Sequence, residues 1–169
     1  ELLSDIHPWA DKVRYARSGG EAMAMAVRIS RAYSGKDKIV FCGYHGWSDW
    51  YLAANISSDE ALDPHLLQGL EPRGVPKGLA GTALPFRYNE LEELQNLLES
   101  NQGDVAAVVM EPTRYSAPKP GFLEGVKRLA KEHNAVLVFD EITTGFRQCP
   151  GGIHLKYGVY PDIAVFAKS

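Results

Sequence analysis

Two uninterrupted apolar runs, Val105-Ala106-Ala107-Val108-Val109-Met110 and Ala135-Val136-Leu137-Val138-Phe139, constrain the fold of this chain more than any other feature. A strand with one wet face alternates apolar and polar residues. A strand covered on both faces does not, and runs of this kind belong to the interior of a parallel sheet. Between the two runs, Phe122–His133 has helical spacing, with Pro120-Gly121 just before it. Parallel neighbours need a crossover of this type, so the order strand, helix, strand predicts an α/β domain with a mostly parallel sheet and flanking helices.

The rest of the chain continues the alternation. Lys12–Ala16 reads as a short strand leading into the turn Ser18-Gly19-Gly20. From Glu21 to Tyr33 the spacing of Ala22, Met23, Ala26, Val27 and Ile29 is helical, and Gly35 stops that helix before a strand at Lys38–Cys42. Glu90–Ser100 reads as a helix with Leu91, Leu94, Leu97 and Leu98 on one side, and Ile163–Phe166 as a last strand after Tyr160-Pro161. Trp50 to Arg87 has weak periodicity and several prolines and glycines, which predicts a long irregular excursion of the kind that shapes sites.

Composition narrows the partners. The 169 residues suit one domain, and a net charge of −3 with no Lys/Arg cluster argues against a nucleic-acid surface. Cys42 and Cys149 stand far apart with no C-x-x-C spacing, so a reducing cytoplasm is expected. No apolar stretch is long enough to span a bilayer, and Glu1-Leu2-Leu3-Ser4-Asp5 is not a signal peptide. The chain opens without a methionine and stops one residue past Lys168, so it reads as the central piece of a longer protein.

The chemistry gathers where strands end. The second apolar run finishes in Asp140-Glu141, and a later one, Ile163-Ala164-Val165-Phe166, leads to Lys168. A buried strand tip bearing a carboxylate, with an amine delivered into a desolvated pocket, meets the needs of pyridoxal phosphate. The lysine makes a Schiff base with the aldehyde, and the acid keeps the pyridine nitrogen protonated. Asp-Glu after an apolar strand also describes a nucleotide hydrolase, but the G-x-x-x-x-G-K-[ST] loop is missing, as is the G-x-S-x-G of a serine hydrolase.

Three other segments are candidates, each with a plainer alternative. Ser18-Gly19-Gly20-Glu21 opens a helix where N–H groups and the helix dipole favour phosphate; alone it is a glycine turn. Gly43-Tyr44-His45-Gly46 follows a strand and offers a ring to stack on a flat ligand, or simply a tight turn. Glu111-Pro112 puts a carboxylate at another strand end. Arg114, three residues on, can take a substrate carboxylate or pair with Glu111 at the surface. The histidines are scattered and no H-E-x-x-H occurs, so no metal is expected.

Taken together, these segments resemble the class III family of pyridoxal-phosphate-dependent aminotransferases, within it the glutamate-1-semialdehyde aminomutase-like subgroup. The residues that carry the likeness are Arg17-Ser18-Gly19-Gly20-Glu21-Ala22, Tyr44-His45-Gly46, Gly74-Val75-Pro76, Glu111-Pro112, Phe139-Asp140-Glu141, Thr144-Gly145-Phe146-Arg147, Pro161-Asp162 and Ala167-Lys168. The resemblance implies a fold-type I large domain, with residues 1–169 its central cofactor-binding part and the C-terminal small domain outside them. It implies a homodimer acting on a small amino donor and a carbonyl acceptor. The alternatives are an aminomutase, or a scaffold or sensor that binds the cofactor without turnover. By the same likeness Gly19 and Gly20 would hold the phosphate, Tyr44 and Ile142 would cover the two ring faces, and Asp140 would meet the ring nitrogen. Lys168 would carry the Schiff base and shuttle the proton, and Glu111 would stand beside the substrate, with Arg114 a further contact. The family usually has Ser or Thr where Gly20 stands.

Overall fold

The computed structural model describes residues 2–58, 60–65 and 68–168. Its centre is a sheet of five parallel strands in the order β2-β1-β3-β4-β5. These are β1 (Lys38–Cys42), β2 (Ala83–Pro85), β3 (Val105–Met110), β4 (Val136–Asp140) and β5 (Ile163–Val165). Every residue of β3 and β4 is buried, as uninterrupted apolar runs require.

Period-two alternation sends the two faces of each strand to different helices. Ile39, Phe41, Val136 and Val138 pack with Met23, Ala26 and Val27 of α2 (Gly19–Ser34). Val40, Cys42, Leu137 and Phe139 pack with Leu94 and Leu98 of α5 (Leu91–Ser100) and with Leu123, Val126 and Leu129 of α6 (Phe122–Glu132). Helix α2 starts at the N-cap Ser18, whose hydroxyl accepts the Glu21 N–H, and stops at Gly35 in the left-handed region. On the other side α5 and α6 approach closely because position 125 is glycine: a Cβ there would lie 2.5 Å from Leu91 Cδ2.

Two expectations change. Lys12–Ala16 is not a strand; no described strand pairs with it and its side chains are exposed, Tyr15 by 81%. Alternation without a partner ladder or a surface to bury has nothing to hold it extended. The excursion from Trp50 to Arg87 (positions 59, 66 and 67 lie outside the described residues) is ordered by short elements: α3 (Asp49–Leu52), α4 (Ala54–Ser57), two 3₁₀ turns and the edge strand β2, which ends on Pro85. An edge strand tolerates a proline that a central strand would reject. Two further short helices, α1 (Leu2–Ile6) and α7 (Ile153–Tyr157), complete the set of elements.

The chain passes from β1 outward to β2, then crosses back over β1 to β3. This reversal splits the loops at the carboxyl ends of β1 and β3, and a crevice there is where open α/β sheets hold ligands.

Candidate active site

The crevice is a cavity of about 590 Å³. Its walls come from the loop after β1 (Tyr44, His45, Gly46), from Glu111 after β3, from Asp140 at the end of β4 and Ile142 beyond it, from Lys168 after β5, and from the first residues of α2. The structure thus brings together Gly19, Gly20, Tyr44, Glu111, Asp140, Ile142 and Lys168. A second cavity, of about 600 Å³, opens near the starts of β4 and β5, away from this crevice.

The start of α2 presents backbone donors. Ser18 Oγ satisfies the Glu21 N–H, the Glu21 carboxylate takes the Arg17 N–H at 2.7 Å, and Ser18 O takes the Ala22 N–H. The N–H groups of Gly19 and Gly20 have no partner among the described residues, which leaves a helix N-terminus open to an anion. Only Gly19 is required to be small. A Cβ at Gly19 would meet Ile142 Cδ1 at 2.7 Å, whereas at Gly20 it would meet nothing within 4 Å, so that position faces open space.

Asp140 is 3% exposed, and its carboxylate is held twice. Oδ1 accepts the Ile142 N–H at 3.0 Å and Oδ2 lies 2.7 Å from His45 Nδ1. His45 Nε2 lies 3.1 Å from Cys42 O, a pure acceptor, so Nε2 carries hydrogen and one proton is shared between Nδ1 and Oδ2. His45, buried and stacked on Trp50, is the residue that reading the sequence missed. Among the described residues no cluster of metal-ligating side chains includes it. The signal available was its place between Tyr44 and Gly46 at a strand end that faces another strand's carboxylate.

Glu111 is buried at the cavity wall. Its Oε2 accepts the Tyr44 N–H at 3.2 Å and pairs with Arg114 Nη1 at 2.7 Å. Burial pushes the carboxyl above its ordinary range, against the opposing pull of His45 and Arg114. Gly43 makes room for it, since a Cβ there would lie 2.6 Å from Glu111 Oε2. Arg114 does not line the cavity; it reaches His65 O at 3.4 Å and lies over the Tyr115 ring. Burial also drives the Cys42 thiol up to about 12, which removes it as a nucleophile.

Lys168 lies three positions beyond the end of β5 at Val165, with its side chain exposed on the cavity rim. Its backbone has φ 59°, uncommon for lysine, and Arg147 Nη2 donates to its carbonyl at 2.7 Å.

Fold and site define a parallel α/β domain with a helix start whose first N–H groups are unpartnered among the described residues, a buried acid and a lysine on one crevice. The family described as Aminotransferase class-III matches residues 1–169, and the chain belongs to it. Among curated relatives, glutamate-1-semialdehyde 2,1-aminomutase of Salinibacter ruber is 42% identical, covering 99% of this chain and 39% of the relative. The 3-aminobutyryl-CoA aminotransferase of Cloacimonas acidaminovorans is 34% identical over 99% of this chain and 38% of its own length. Among solved structures, an omega-transaminase from Sphaerobacter thermophilus superposes with a TM-score of 0.83 at 26% identity, over 98% of this chain and 39% of that one. A structure described as a transaminase with PLP bound gives a TM-score of 0.83 at 27% identity, again over 98% and 39%. The chain therefore spans less than half the length of the relatives it matches. No helix among the described residues is long and apolar enough to cross a membrane.

Proposed function

We propose that the full-length protein is a pyridoxal-phosphate-dependent aminotransferase that moves an amino group from a small donor to a carbonyl acceptor. The observation that carries this reading is one cavity holding the Asp140–His45 pair, Lys168 and the unpartnered N–H groups of Gly19 and Gly20. The residues fit the cofactor. Two free helix-start donors suit a phosphate, Gly20 leaves the space beside them open, and a buried, histidine-backed carboxylate suits a cationic ring nitrogen. Tyr44 and Ile142 would cover the ring faces.

When bound, pyridoxal phosphate supplies an electron sink that makes the Cα–H bond of an amino donor acidic. The protein residues do the rest. Asp140, backed by His45, would be the acid that meets the ring nitrogen. Lys168 Nζ would be the amine that holds the cofactor's aldehyde carbon and, once free, the base that carries the donor's proton. Glu111, tied to Arg114, would face the substrate from the cavity wall.

Residues 1–169 serve in this reading as the central part of a large domain in a cytoplasmic homodimer, with a small domain contributed by chain outside them. A second reading is intramolecular transfer, supported by the 42% identity to an aminomutase. Full-length protein should show a visible absorbance that borohydride fixes, and Lys168→Ala should abolish it. No such band, or one that Lys168→Ala leaves intact, sinks the reading. Turnover of separate donors and acceptors favours the aminotransferase, isomerisation of a single substrate the aminomutase. A coloured protein that reacts with no donor would be a sensor.

A further inference from the structure

Beside the cavity-facing Asp140 stands a carboxylate that lines neither of the two cavities described above. Glu141 is 0% exposed, and burying a charge is costly unless donors fill its lone pairs. Four do. Ile153 N donates at 2.6 Å, His154 N at 2.9 Å, His154 Nδ1 at 2.6 Å and Thr144 Oγ1 at 3.3 Å. The first two are N–H groups from the opening turn of α7, which lack partners inside their own helix. His154 Nε2 accepts the Trp9 indole N–H at 3.2 Å, so the imidazole proton sits on Nδ1 and His154 is a neutral donor. Gly152 keeps the approach clear, since a Cβ there would lie 2.7 Å from Glu141 Oε2. One carboxylate thus joins the N-terminal segment, α7 and the turn after β4.

That turn follows directly on Asp140 and reaches the segment that carries Lys168. Glu141 N donates to Val165 O at 2.8 Å, which continues the β4–β5 register past Asp140. Ile142 and Thr143 line the cavity. Glu141 O accepts the Gly145 N–H at 2.7 Å, and Gly145 lies so close to Phe166 that a Cβ would be 2.5 Å from Cδ1. Arg147 then reaches the Lys168 carbonyl at 2.7 Å, where the backbone is left-handed and needs outside support.

We infer that Glu141 is a positioning residue: with His154 and Trp9 it keeps the Asp140 carboxylate and the Lys168 amine in register across the cavity without touching substrate or cofactor. This rests on the proposed cofactor reading, so the test separates the two. In Glu141→Gln the amide NH₂ faces donors from α7 and His154, which breaks the hub while keeping its shape. Full-length apo-protein is titrated with pyridoxal phosphate, the pH midpoint of the visible band is measured, and the apo thermal midpoint is recorded. Glu141→Gln should bind the cofactor about tenfold more weakly and move the band midpoint by about half a pH unit or more; Trp9→Phe should weaken binding about threefold. If Glu141→Gln does not fold, Trp9→Phe decides by the same readouts. A lower apo thermal midpoint with affinity and band midpoint unchanged makes the hub a stability element only and overturns the inference. Wild-type protein with no visible band overturns the cofactor reading and this inference with it.

Discussion

His45 shows how one side chain can set the character of another. Its ring spans the 95-residue separation between the β1 loop and Asp140, and neither of its nitrogens meets water. Asp140 Oδ2 is enclosed away from water, and the 2.7 Å contact with His45 Nδ1 supplies the partner it would otherwise lack. His45→Phe leaves Asp140 Oδ2 without a partner and Cys42 O with the Glu111 N–H alone, at a cost on the order of 1–3 kcal/mol for the buried carboxylate oxygen. In the full-length protein this substitution should weaken pyridoxal phosphate binding at least tenfold, measured by titrating the apo form. His45→Asn should recover part of the loss, because its Nδ2 can stand where Nδ1 does and donate to Asp140. Equal affinity in His45→Phe and wild type would show that Asp140 needs no such partner.

At the scale of elements, α2 is both a core helix and half of the site. Its buried stripe is written in the spacing of Met23, Ala26 and Val27, and so the helix is legible in the sequence, as are β3 and β4. The role of its first turn is legible only in part. Ser18, Gly19 and Gly20 announce a helix start, but which N–H groups stay free depends on Glu21 reaching back to Arg17 N, a rotamer choice that no periodicity records. Gly19 and Gly20 should respond oppositely. Gly19→Ala crowds Ile142, which lines the cavity, and should weaken cofactor binding about three- to tenfold at a stability cost on the order of 1–3 kcal/mol. Gly20→Ser adds a hydroxyl beside the free N–H pair with nothing in its way, and should tighten binding about two- to fivefold. Tighter binding in Gly19→Ala, or looser in Gly20→Ser, would mean that this helix start does not hold the phosphate.

Across the whole molecule, the sheet positions the site, and the long excursion packs against the β1 loop without lining the cavity. Strand order was not legible, because the crossover that puts β2 outside β1 leaves no mark in either strand. Nor were Glu141 and His154 as partners, because their contact depends on α7, a helix too short for periodicity to reveal. The excursion is fastened to the sheet by His65, whose Nδ1 accepts the Gly43 N–H at 3.2 Å while its ring packs on Phe41. Burial, with smaller contributions from His45 and Arg114, lowers the His65 pKa from 6.5 to about 4. The unfolded chain therefore protonates this histidine first as pH falls. Its contribution to stability is complete above about pH 6.5 and is lost between there and pH 4, to an upper limit on the order of 3 kcal/mol. His7, also lowered by burial, acts in the same direction, whereas the raised Glu111 carboxyl protonates earlier in the folded state and opposes it. Denaturant unfolding of the full-length protein should thus show stability falling from pH 6.5 to 4. His65→Asn, which can still accept from Gly43 N but does not titrate, should flatten that fall. An unchanged slope in His65→Asn would place the acid sensitivity elsewhere and free the excursion from this latch.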